Sequence, residues 1–149
     1  MKKVFYSMLA FAFVLTTTSC SDDDDDSSDT TVADVTTTIT DGVWRITNFD
    51  EDGDDHTNDF TGFTFTFDDN NVLTADNGTN AYVGSWAVTD GSNDDSSNDV
   101  DLNIVFGFPD NFVELSEDWD VIERTSTKVR LRHVSGGNGG TDNLTFEKD

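Results

Sequence analysis

Thr61-Gly62-Phe63-Thr64-Phe65-Thr66-Phe67 decides the fold. Alternate side chains of an extended chain point to opposite faces, so this segment sets an aromatic face against a hydroxyl face. Phe and Thr are also the residue types that suit a pleated, half-buried surface. Working outward, Trp44 and Ile46 alternate with Arg45 and Thr47 in the same way. Further candidate strands are Val72–Ala75, Tyr82–Thr89, Val100–Phe106, Trp119–Arg124, Lys128–Val134 and Asn143–Glu147. Turn-forming clusters separate them, among them Asp68-Asp69-Asn70-Asn71, Asp76-Asn77-Gly78 and Gly136-Gly137-Asn138-Gly139-Gly140. No stretch shows a helical period, so nothing supplies the crossovers that parallel strands need. The expectation is an all-β domain: an antiparallel up-and-down meander of about eight strands forming a barrel, with a β-sandwich as the alternative.

The chain divides before that domain begins. Lys2 and Lys3 precede an apolar stretch, Val4 to Leu15, too short to span a bilayer, which is the pattern of a cleaved export signal over residues 1–19. Cys20 follows and is the single cysteine of the chain. Thr17-Thr18-Ser19-Cys20 resembles a bacterial lipobox, and the resemblance implies lipidation of Cys20. Ser21 and the run Asp22 to Asp26 resemble the acidic export tag of Bacteroidetes-type lipoproteins, which implies a lipid-anchored place on the outer membrane, at the cell surface. Residues 20–41 lack aromatics and are rich in Asp, Ser and Thr, so a flexible acidic tether is expected there. Residues 42–149 hold all three tryptophans and suffice for one domain with one core. With Cys20 committed to lipid no disulfide can form, and stability has to come from apolar burial.

Charge narrows the partners. The full chain carries a formal net charge of −23. Removing residues 1–19 leaves six basic residues against 31 acidic ones. Nucleic acid is excluded as a partner, because phosphate binding needs a basic stripe that this field opposes.

The order of the strand motifs carries a family resemblance. Gly42-Val43-Trp44-Arg45-Ile46, then the aromatic strand ending at Phe67, then Gly84-Ser85-Trp86, and finally Leu144-Thr145-Phe146-Glu147-Lys148 resemble the lipocalin-like domain of Bacteroidetes lipoproteins. The resemblance covers nearly all of 42–149 and implies a ligand-binding or structural barrel. In the first case Trp44, Phe63, Phe65, Trp86, Trp119 and Phe146 line a space for a small apolar or amphipathic ligand. In the second the same aromatics fill a solid core, and the acidic outer surface meets a cationic or calcium-bridged partner. The helical lid of eukaryotic fatty-acid-binding barrels has no counterpart in the sequence.

Other candidate chemistry is sparse. Asp50, Asp52 and Asp54 alternate around Gly53, the opening pattern of a calcium loop that offers carboxylate oxygens to a hard cation. The EF-hand spacing then fails, since Asp55 and Thr61 stand where a glycine and a bidentate acid belong. A second acidic group, Asp94–Asp95 with Asp99 and Asp101, is weaker still. Lys128, Arg130 and Arg132 share a strand face opposite Val129 and Leu131, so the cations are expected outside and His133 inside. No nucleophile elbow, zinc-protease helix or glycine-rich phosphate loop occurs, and the expectation is a protein without enzymatic activity and without a cofactor, calcium excepted.

Overall fold

The structure, a computed structural model, describes residues 30–91, 100–137 and 139–149. Strands form where the alternation placed them. Trp44–Glu51 is β1 and Asp54–Asp55 a two-residue β2; Thr64–Phe67, Val72–Asp76 and Ala81–Asp90 are β3, β4 and β5. Val100–Val105 is β6, and Asp118–Arg124, Lys128–Val134 and Thr141–Lys148 are β7, β8 and β9. From β3 to β9 each strand pairs antiparallel with the next, and β9 returns to pair with β1. A single bridge, Trp44↔Phe65, joins β1 to β3, so eight strands close into a barrel and β2 is the extra one. Closure removes the open sheet edges that a sandwich would keep, and the sandwich alternative falls.

Burial follows the alternation and explains its one interruption. Trp44 and Ile46 point inward, and a β-bulge between Ile46 and Asn48 shifts the parity so that Phe49 turns inward next. The inward residues of all strands merge into one apolar cluster that includes Phe65, Phe67, Leu73, Trp86, Leu102, Trp119, Leu131 and Phe146. Full burial of each such side chain contributes about 1.5–3 kcal/mol. Gly84 is the small residue this packing requires. A Cβ there would collide with the Val105 carbonyl and come within 2.8 Å of the Phe106 ring, so the glycine of Gly84-Ser85-Trp86 lets Phe106 lie against β5.

Helices close both ends, and the first of them corrects the sequence reading. Val32–Thr40, placed in the flexible tether, is an α-helix, α1. Thr31 caps it: the Thr31 hydroxyl accepts from Asp34 N at 3.2 Å, and the Asp34 carboxylate accepts from Thr31 N at 3.2 Å. Val35 and Ile39 are fully buried, and α1 packs on β3, β5 and β6 at the end of the barrel where β1 starts. Residues 31–41 therefore belong with the folded body rather than with the tether, because one helical face has apolar surface to bury. At the opposite end, a 3-10 turn, Thr57–Phe60, and the short helix α2, Asp110–Val113, insert Phe60 and Phe112. The Trp119 indole donates to the Leu115 carbonyl at 3.0 Å and fixes the chain that leaves α2.

Candidate functional site

The six aromatics expected to line the barrel all lie in one buried cluster, joined mostly through further rings. Phe65 and Phe146 lie edge to face at 5.4 Å, and Phe67 bridges Phe146 at 5.5 Å and Trp86 at 5.6 Å. Phe112, delivered by α2, sits 5.1 Å from Phe63 and 6.1 Å from Phe65. Trp119 meets Phe49 edge to face at 6.3 Å, and Trp44 is buried beneath α1. These ring geometries, edge-to-face for most pairs and stacked for Phe65 with Phe112, are those of a packed core. An eight-stranded barrel is just wide enough for side chains to fill, and plugs from both ends help to fill this one. Sequence reasoning missed those plugs because α1 was read as linker and α2 has four residues.

The described wall also carries an opening. Between β1 and β3, joined only at Trp44↔Phe65, lies a cleft of about 370 Å³ lined by Ile46, Phe60, Phe63, Thr57, Arg45 and Asp149. The Arg45 guanidinium pairs with the Asp149 carboxylate at 3.2 Å across its margin.

The cations point outward, as their strand face required. Glu123 accepts from Lys128 Nζ at 2.7 Å and from Arg130 Nη1 at 3.0 Å, and these bonds hold its carboxyl below the ordinary value. Arg132 lies 3.8 Å from Asp120. Beside them, on the outer face of β8, β9 and β1, runs an open polar groove of about 620 Å³ lined by Lys128, Arg130, Asn143, Thr145, Thr47 and Asn48.

The expected calcium ligands are not gathered. Asp52 and Gly53, both at positive φ, make the tight turn between β1 and β2, where Asp50 pairs with Asp55 and Glu51 with Asp54. Asp50 and Asp54 thus belong to successive pairs whose side chains project to opposite faces of the hairpin. The Asp50 carboxylate accepts from Gly53 N at 3.1 Å within the turn, and the turn is tied to β9 by Asp52 N, which donates to the Asp142 carboxylate at 2.9 Å. Among the described residues, the set whose ligand atoms do converge is Glu117, Asp118 and His133, within 4.8 Å of one another.

Both histidines lie at the α2 end of the barrel. His56 sits 3.8 Å from Glu51 and 3.5 Å from Asp59. His133 turns inward as expected, and its Nδ1 lies 3.1 Å from the Asp118 carbonyl. Glu51 is pushed above the ordinary carboxyl value by partial burial, with repulsion from Glu114 and Asp142 adding to it.

Cys20, the acidic run after it, and residues 94, 95 and 99 lie outside the described residues. No family model and no curated protein matches the sequence. Among solved structures, the crystal structure of a DUF4847 family protein from Bacteroides vulgatus ATCC 8482 is similar, with a TM-score of 0.52 and 17% identity over 77% of this chain and 97% of that one. At that identity the likeness carries the fold and leaves function to the site.

Proposed function

We propose that this chain is a surface lipoprotein of the outer membrane, anchored through Cys20, whose barrel is a non-catalytic interaction module. The packed interior carries this reading: rings from the strands, from α2 and from the 3-10 turn occupy the space a carried ligand would need. Recognition then falls to the outer surface, which is strongly acidic and suits a cationic or cation-bridged partner. The cleft between β1 and β3 favours a second reading, a carrier of a small apolar or amphipathic molecule that enters along Ile46, Phe60 and Phe63. A panel of fatty acids and apolar dyes titrated against tryptophan fluorescence separates the two. A filled module gives no saturable response from Trp44, Trp86 and Trp119. Saturable quenching, weakened in Phe63→Asp with the fold retained by circular dichroism, establishes the carrier.

A further inference from the structure

His133 on β8, Asp118 at the start of β7 and Glu117 just before it converge on the barrel rim. The orientation of the imidazole is fixed on two sides. Its Nδ1 faces the Asp118 backbone carbonyl at 3.1 Å, and its ring meets the Trp119 indole edge to face at 6.1 Å. A carbonyl oxygen only accepts, so the nitrogen facing it, Nδ1, is the donor, and Nε2 is the nitrogen on the side open to a metal ion. A backbone carbonyl holding one ring nitrogen is also the arrangement that orients metal-binding histidines.

Nε2 faces the Glu117 carboxylate at 3.6 Å. That is well beyond the roughly 2.7–2.9 Å of a charge-assisted hydrogen bond. It is close to the spacing of about 3.4 Å between two donors bound at about 2.0–2.1 Å to one tetrahedral ion. The Asp118 carboxylate lies inside the same 4.8 Å set, at present 3.4 Å from Nδ1, and turns toward Nε2 to serve as the third donor. The His133 side chain is 18% exposed while the Glu117 and Asp118 side chains are 43% and 67% exposed, so the nitrogen donor is held and the oxygens are free to adjust.

We propose that Glu117, Asp118 and His133 form a binding site for a divalent transition-metal ion of the zinc type, with one coordination position left to water or to a partner's side chain. The imidazole selects against calcium and magnesium, which favour all-oxygen shells. The site spans the chain leaving α2 and the far end of β8, so the ion would clasp the α2 plug to the barrel wall. The Glu117 carbonyl already accepts from Ile104 N at 3.1 Å in the same rim.

The test is calorimetric titration of zinc into the detergent-solubilised full chain, with millimolar magnesium present to occupy exposed carboxylates. The expected result is one saturable zinc per chain and a rise in melting temperature. Affinity should fall at least tenfold in both His133→Gln and Glu117→Gln and stay unchanged in Asp52→Ala. Cobalt in place of zinc should give the visible absorption of a tetrahedral site, absent from both variants. Glu117→Gln touches no core residue and decides the matter even where His133→Gln fails to fold. Zinc binding untouched by Glu117→Gln, equal competition by calcium, or no saturable heat overturns the proposal and leaves His133 as an ordinary ion-paired rim residue.

Discussion

The indole nitrogen of Trp44 donates to the backbone carbonyl of Ile39 at 2.8 Å, joining the first residue of β1 to the last turn of α1. The bond satisfies a buried donor and one of the helix-end carbonyls that lack an intrahelical partner. Arg124 adds a second tie, donating from Nη1 to the Thr38 hydroxyl at 3.2 Å. Together with buried Val35 and Ile39, these contacts make α1 part of the folded body.

Ile39→Ala should therefore destabilise the protein by about 2–5 kcal/mol, the cost of emptying a fully buried aliphatic site. Urea unfolding measures it. A loss within about 0.5 kcal/mol, the range of surface substitutions, would return this segment to the tether.

Gly84→Ala addresses the packing of β5 against Phe106. The added methyl meets the Val105 carbonyl, which the β5–β6 ladder holds in place, and the Phe106 ring at 2.8 Å. Overpacking of this kind costs about 1–3 kcal/mol. A melting temperature equal to that of the parent would show that the two strands separate more easily than their register implies.

What the sequence disclosed, and what it concealed, follows from the range of each signal. Phe63 to Phe67 and Lys128 to Val134 show their strand character within a few residues, because period-two alternation is local. Barrel closure was legible only from strand number and meander order, since the bond between β1 and β9 joins residues such as Ile46 and Phe146 that are far apart in the chain. Helix α1 was hidden by composition. Five of its nine residues, Val32-Ala33-Asp34-Val35-Thr36-Thr37-Thr38-Ile39-Thr40, are threonine or aspartate, which are poor helix formers. Two signals could have revealed it: Val32, Val35 and Ile39 at helical spacing, and Thr31 followed three residues later by Asp34 as a capping pair. The rim triad had no local signature, because His133 reaches Glu117 and Asp118 only through the pairing of β7 with β8.

Cys20→Ala tests the anchor. Acylation at a lone cysteine would hold the chain to the membrane at roughly 0.8 kcal/mol per buried methylene. The variant should incorporate no labelled palmitate and should leave the membrane fraction or accumulate as uncleaved precursor. Undiminished palmitate incorporation would sink the lipoprotein proposal.

Glu51 gives a stability change with a defined pH window. Desolvation, then repulsion from Glu114 and Asp142, raise its folded pKa above the ordinary 4.5, with His56 opposing them. The folded state therefore binds this proton more tightly than the unfolded chain does. Ionised Glu51 penalises folding above the folded pKa, and the penalty disappears as the pH falls below 4.5. Glu51→Gln removes the charge and should stabilise the protein at pH 7, with the gain fading by about pH 4. Because the side chain is 43% exposed, solvent screening limits the gain to about 0.5 kcal/mol. Urea unfolding of parent and variant at the two pH values checks both sign and window. A loss at pH 7 would mean that the 3.8 Å contact with His56 outweighs the two carboxylates and the burial.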